Sequence, residues 1–232
     1  MNKVTLFLTI LLFSPFTLKG QSSSSIVNLK TDHLQKPIGI DNPRPRFSWK
    51  MQDVTQGAKQ TAFQVIVGTD SVYVANEQGD VWTTDKQLSD RMLVTYKGKA
   101  LIPFTRYFWK INAWDKDSNK VSSSISSFET GMMCMSNWQG AWIGDGKDIH
   151  YKPAPYFRKP FRLNKEIKSA RAYIAVAGLY ELYMNGEKIG NHRLDPMYTR
   201  FDRRNYYVAY DVTSQIQQGE NAIGVLLGTG WY

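Results

Sequence analysis

Three observations predict an all-β protein. Apolar and polar residues alternate with period two in several short runs, as half-buried strands require. Gly, Pro, Asn and Asp clusters punctuate those runs as turns. No ten-residue stretch of the 232-residue chain carries a clear helical stripe. Aromatic residues make up 13% of the sequence and charged residues 21%, an ordinary balance for a globular chain able to bury a core.

The elements follow in order. Lys3 and the apolar residues 4–16 read as a signal peptide over residues 1–20, too short to span a bilayer, with cleavage expected after Gly20 and no membrane span left afterwards. Residues 21–25 are a polar linker. A first β-sandwich is expected over 26–131. Its strands include Phe47-Ser-Trp49-Lys-Met51, Phe63-Gln-Val65-Ile-Val67 and the run from Tyr107 to Trp114, which places Tyr107, Trp109, Ile111 and Ala113 on one face. Asp41-Asn-Pro43, Glu77-Gln-Gly79-Asp80, Lys97-Gly98 and Asp115-Lys-Asp-Ser118 are the turns, and residues 121–130 read as one closing strand. Met132-Met-Cys-Met135 is an apolar boundary segment expected to pack between domains.

A second β domain is expected over 138–232. Residues 155–161 form an edge strand because prolines interrupt it, and residues 170–176 form a strand. Asn185-Gly186 closes a type I′ hairpin. One polar helical turn lies between Asp211 and Gly219, with Thr213 as N-cap, and a buried strand spans 222–227. That stretch supplies roughly six strands where a jelly roll has about eight. The expectation is therefore an incomplete jelly roll with an unpaired buried strand.

The formal net charge of +9 falls by two when Lys3 and Lys19 leave with the signal peptide. Its basic residues are scattered, including Arg44, Arg46, Lys97, Arg158 and Lys159. They imply solubility and mild attraction to acidic polysaccharide rather than nucleic-acid binding. The single Cys134 excludes an internal disulfide. His33, His150 and His192 lack ligand spacing, so no metal site is expected. No nucleophile elbow or phosphate loop is present. Gly228-Thr-Gly230 reads as a tight turn. Asp145, Asp148, Glu181, Asp195, Asp202 and Asp211 are the candidate acids for general acid–base work, but each has a duller explanation such as a turn or cap role, so no catalytic residue is assigned.

Two resemblances refine this. Leu101-x-Pro103-x-Thr105-x-Tyr107-x-Trp109-x-Ile111 resembles the penultimate strand of fibronectin type III domains. The segment from Gly178 through Asn185-Gly186, Leu194-Asp-Pro196-Met-Tyr198-Thr199-Arg-Phe201-Asp202 and Tyr210-Asp-Val-Thr213 to Gly228-Thr-Gly-Trp231-Tyr232 is similar to the N-terminal jelly-roll (galactose-binding-like) domain of bacterial α-L-rhamnosidases, glycoside hydrolase family 78-like. Asp41-Asn-Pro43-Arg-Pro45-Arg-Phe47 resembles that family's front module. One departure is Met197-Tyr198, where the family has Gly-Trp. The resemblance implies an exported fragment whose parent hydrolyses terminal α-L-rhamnosides. It also implies further C-terminal domains, including an inverting (α/α)6 barrel, so this part alone would be inactive and structural or sugar-binding. Partners implied are rhamnose-containing oligo- or polysaccharides, contacted by Asn185, Tyr198, Asp202, Trp231 and Tyr232. Calcium is implied by resemblance only, with Asn185 as the residue of interest. The alternative is a free-standing carbohydrate-binding or adhesion protein of two β domains.

Overall fold

The computed structural model describes residues 24–147 and 154–228. The expected signal peptide, Asp148, His150, Trp231 and Tyr232 lie outside them. The fold is all-β, with two sandwiches.

The first sandwich begins with β1 (Ser25–Thr31), β2 (Arg46–Gln52) and β3 (Ala62–Gly68), followed by a five-residue helix α1 (Ser71–Ala75). Short strands β4 (Trp82–Thr83), β5 (Gln87–Leu88) and β6 (Leu93–Thr95) come next. Then follow β7 (Arg106–Trp114), β8 (Lys120–Ser122) and β9 (Ser126–Glu129). One sheet has the order β1-β2-β6. The other has the order β4-β3-β7-β8, with β5 on β3 and β9 on β7.

Between the sheets lies the aromatic core that the alternation predicts. Phe47, Trp109, Ile111 and Ala113 have no exposed surface, and Tyr107 and Phe128 keep 1% each. Phe47 sits at the centre, its ring 4.6 Å from Trp109 and 5.6 Å from Phe128. Tyr107 Oη accepts from Ile102 N at 2.8 Å, the tyrosine corner of immunoglobulin-like sandwiches. The buried amide of Gln60 beside this core is satisfied. Gln60 accepts from Trp49 Nε1 (2.8 Å) and donates to the carbonyls of Ser89 and Arg91.

Two local expectations are corrected. Helix α1 escaped the sequence pattern because five residues make no stripe; its signal is the cap, where Asp70 accepts from Val72 N and Tyr73 N. By covering the outer face of β3 and β7, α1 buries Ile66 and Lys110, which strict alternation would expose. The closing strand expected over 121–130 is two strands, because Ser123 turns inward. Its Oγ accepts from Ile111 N and its own N–H donates to Ile111 O.

A 3₁₀ turn (Met135–Asn137) leads into the second sandwich. Its strands are β10 (Tyr156–Leu163), β11 (Arg171–Ala175), β12 (Leu179–Met184), β13 (Glu187–Lys188), β14 (Tyr207–Asp211) and β15 (Gly219–Gly228). A sheet of order β10-β15-β12-β13 faces the pair β11-β14. Leu182, Met184, Ile189, Tyr210 and Val212 form the core between them. As predicted, Pro160 lies on an edge strand, and Asn185 (φ 52°) and Gly186 (φ 89°) make the hairpin turn.

The expected unpaired strand is not found. β15 is paired along both sides, with β10 from Tyr156↔Leu226 to Leu163↔Gly219 and with β12 from Leu179↔Gly228 to Met184↔Ile223. Most of its side chains are half-buried rather than buried. The helical turn after Asp211 is a single hydrogen-bonded turn, Gln215 N to Val212 O, not a helix. Thr213 is not its cap: its Oγ accepts from Ala170 N (3.0 Å), and Asp211 accepts from Thr213 N and Oγ.

The turn at Asp115 yields a prediction. This carboxylate is 6% exposed and accepts from Asp117 N, Asn119 N and Asn119 Nδ2 at 2.8–3.0 Å. Burial pushes its pKa up, but the hydrogen bonds from Asn119 and Asp117 outweigh that and hold it below the usual value. A depressed folded pKa means the stabilisation is complete above the unfolded value of about 3.9 and is lost as pH falls through the folded one. Asp115→Ala should cost about 1–3 kcal/mol at pH 7 in urea melts, and the difference from wild type should shrink as pH falls below about 4.

Candidate binding groove at the domain junction

The two sandwiches are locked together by polar contacts that neither domain could complete alone. Glu129, at the end of β9, is held by Arg171 from β11 in a two-bond fork, Nε–Oε1 2.7 Å and Nη2–Oε2 2.9 Å. Arg106 on β7 donates to the same carboxylate at 3.1 Å. The Glu129 and Arg171 side chains are 8% and 11% exposed, so this fork is largely desolvated. Arg171 also reaches Asp211 at 2.9 Å. Burial alone would lower the pKa of Arg171, but the Glu129 hydrogen bonds and charge outweigh it and raise it.

A second lock lies beside it. Tyr207 on β14 donates its hydroxyl to Asp41 Oδ1 (2.8 Å) and accepts from Met132 N (3.1 Å), while Asp41 also accepts from Met133 N (2.8 Å). Burial, with help from Asp41, pushes the Tyr207 pKa up. Gly131 is obligatory here, because a Cβ on it would lie 1.9 Å from Tyr207 Oη. At Gly39, where φ is +77°, a Cβ would meet Ala209 Cβ at 2.8 Å. Phe104 and Tyr173 pack edge-on across the junction at 5.4 Å.

Above these locks opens a groove of about 880 Å³, within the usual ~300–1,000 Å³ range of small-molecule sites. One wall is the connecting segment: Met132, Met133, Cys134 and Met135, then Trp138 and Trp142. The other is the stretch from Phe201 to Tyr207 that precedes and enters β14. Trp142 is 66% exposed and Tyr206 43%. The Arg204 guanidinium lies 5.8 Å from the Tyr206 ring centroid. Asp202 is already bound by Arg200 in a two-bond pair at 2.8–2.9 Å. The Cys134 thiol contacts Ser136 Oγ at 2.8 Å, and hydrogen bonds from Ser136 and Asn137 lower its pKa.

The three expected sugar-contact residues that are described, Asn185, Tyr198 and Asp202, do not form one group. Asp202 lines the groove. Tyr198, 60% exposed, packs edge-on against Phe201 at 5.6 Å and so stands next to the groove without lining it. Asn185 belongs elsewhere. Its amide donates to Gln215 O (2.8 Å) and Asn221 Oδ1 (2.9 Å) and accepts from Ala222 N (2.8 Å), so it latches the hairpin to β15 and is committed to the fold. The residues the sequence reading missed are Trp138, Trp142, Arg204 and Tyr206. The available signal was the pair of tryptophans in the short Gly-rich stretch after Met135.

The candidate acids that are described also have structural partners. Glu181 accepts from Tyr183 and Lys188. Asp195 accepts from Tyr210 (3.1 Å) and contacts His192 (3.2 Å), and Tyr210 in turn meets Tyr180 at 3.0 Å. Asp145 accepts from Lys147 N. Among the described residues no group of three or more His, Cys, Asp and Glu could hold a metal ion. No helix among them is long and apolar enough to cross a membrane.

Comparison with known proteins agrees with this architecture. Residues 26–134 match the Rha78A-like, N-terminal immunoglobulin domain, and residues 165–232 match the alpha-L-rhamnosidase N-terminal domain. The chain carries the N-terminal domains of the α-L-rhamnosidase family. An α-L-rhamnosidase of Formosa agariphila is 34% identical over 100% of this chain and 27% of its own length. One from Alteromonas sp. is 30% identical over 94% of this chain and 25% of its own. The solved α-L-rhamnosidase of Dictyoglumus thermophilum superposes with a TM-score of 0.84 at 43% identity, over 90% of this chain and 25% of that one. The chain thus spans about a quarter of the length of the α-L-rhamnosidases it matches.

The second lock can be tested directly. Tyr207→Phe removes the hydroxyl that joins Asp41 to Met132 N and should cost about 1–3 kcal/mol in urea unfolding. Gly131→Ala should cost at least as much, because its Cβ collides with the same hydroxyl. The double variant should cost less than the sum, since phenylalanine relieves that collision.

Proposed function

We propose that this chain is the exported N-terminal portion of an α-L-rhamnosidase, acting as a rigid non-catalytic frame for a hydrolase whose substrates are rhamnose-containing glycans. The observation that carries the reading is the match of both sandwiches, in order, to the front quarter of rhamnosidases from several organisms. The chemistry of the described residues supports it. Inverting glycoside hydrolysis needs an acid and a base roughly 6.5–9.5 Å apart across the sugar. Here the candidate carboxylates are spent on caps, turns and ion pairs. The division into sandwiches at 26–131 and 138–232 is part of the same proposal, as is export through a signal peptide over residues 1–20.

The test is to express the whole reading frame at the genomic locus beside the 232-residue chain and assay both on p-nitrophenyl α-L-rhamnopyranoside. The whole frame should release p-nitrophenol and the 232-residue chain should not. Activity of the short chain alone, or an inactive whole frame lacking any paired-acid domain, contradicts the proposal.

A further inference from the structure

We propose that the groove at the domain junction binds an oligosaccharide bearing a uronate carboxylate. The choice of sugars over other flat anions rests on the glycan reading above; the rest comes from the groove itself. Trp142 is 66% exposed to solvent and Tyr206 43%. Exposed flat rings lining one groove suit the C–H faces of pyranose rings, a predominantly apolar surface with a few polar groups fixing orientation. Those polar groups here are cationic. Arg204 has no carboxylate within ion-pair distance among the described residues, and its guanidinium lies 5.8 Å from the Tyr206 ring centroid, within cation–π reach. Arg203 makes only a 3.8 Å contact with Asp202, whose carboxylate is already held by Arg200 at shorter range. The other acid in the groove, Asp41, is occupied by Tyr207 and Met133 N. Two arginines therefore line the groove, and the acids beside them are spoken for. A carboxylate is the anion that a planar fork binds in two bonds. The groove walls come from both domains, so the locks beneath it also fix its width.

The experiment is calorimetric titration of the 232-residue chain with trigalacturonate, with neutral maltotriose as the control. Because it reads binding by this chain alone, failure of the parent's hydrolase assay does not bear on it. Trigalacturonate should bind and maltotriose should bind at least ~10-fold more weakly, as expected when a charge-assisted pair is lost. Arg204→Ala and Trp142→Ala, both at exposed positions, should each weaken trigalacturonate ~10-fold or more with unchanged circular dichroism. Lys159→Ala on the edge strand β10 should leave affinity unchanged. Binding equal for the two sugars, binding insensitive to Arg204 and Trp142, or no binding at all would overturn the proposal; the last would point to the groove as a seat for other protein.

Discussion

A carboxylate buried between two arginines holds this molecule together. Glu129 belongs to the first sandwich, and Arg171, its two-bond partner, to the second. Removing either partner of so buried a pair typically costs about 3–5 kcal/mol, because the survivor keeps its desolvation penalty without its partner. The pairing has a geometric consequence as well. A planar fork on a carboxylate fixes direction as well as distance, so β9 and β11 are oriented relative to each other. The Asp41–Tyr207–Met132 lock then has to close in one register, with Gly39 and Gly131 admitting the close approach. The groove is the surface left above these contacts, and its two walls are only as well placed as the fork beneath them.

Much of the fold was legible because burial in a sandwich imposes period two. Phe47, Trp49, Tyr107, Trp109 and Ile111 alternate in sequence and share one core in space. The Asn185-Gly186 turn was legible because few residues accept two successive positive φ values. The misreadings share a cause, since each involves a contact that local pattern does not encode. Ile66 and Lys110 break the alternation because a five-residue helix lies over them. Ser123 splits a strand by bonding to Ile111, twelve residues away. Strand β15 was expected to be unpaired because roughly six strands were counted where a jelly roll has about eight, yet β10 and β12 suffice to flank it on both sides.

The site was less legible than the fold for the same reason. Asp41 and Tyr207 are 166 residues apart, and nothing near either one announces the other. Asn185 was a reasonable ligand by residue type, yet three hydrogen bonds commit it to the hairpin latch. Asp202, expected as a sugar contact, lies in the groove as a partner of Arg200. The aromatic wall of Trp138 and Trp142 carries no periodic pattern, being in a connection rather than a strand. A junction that buries charge between domains and leaves exposed aromatics beside it fits the frame role proposed above.

The most direct test of the central claim is differential scanning calorimetry of the chain and of Arg171→Ala. If the Glu129–Arg171 fork couples the two sandwiches, the wild-type chain unfolds in a single cooperative transition. The variant should then separate into two transitions, the second sandwich melting first because its core is smaller. Two resolved transitions in wild type, or a single transition in the variant at an unchanged temperature, would contradict the fork as the constraint on which the junction depends.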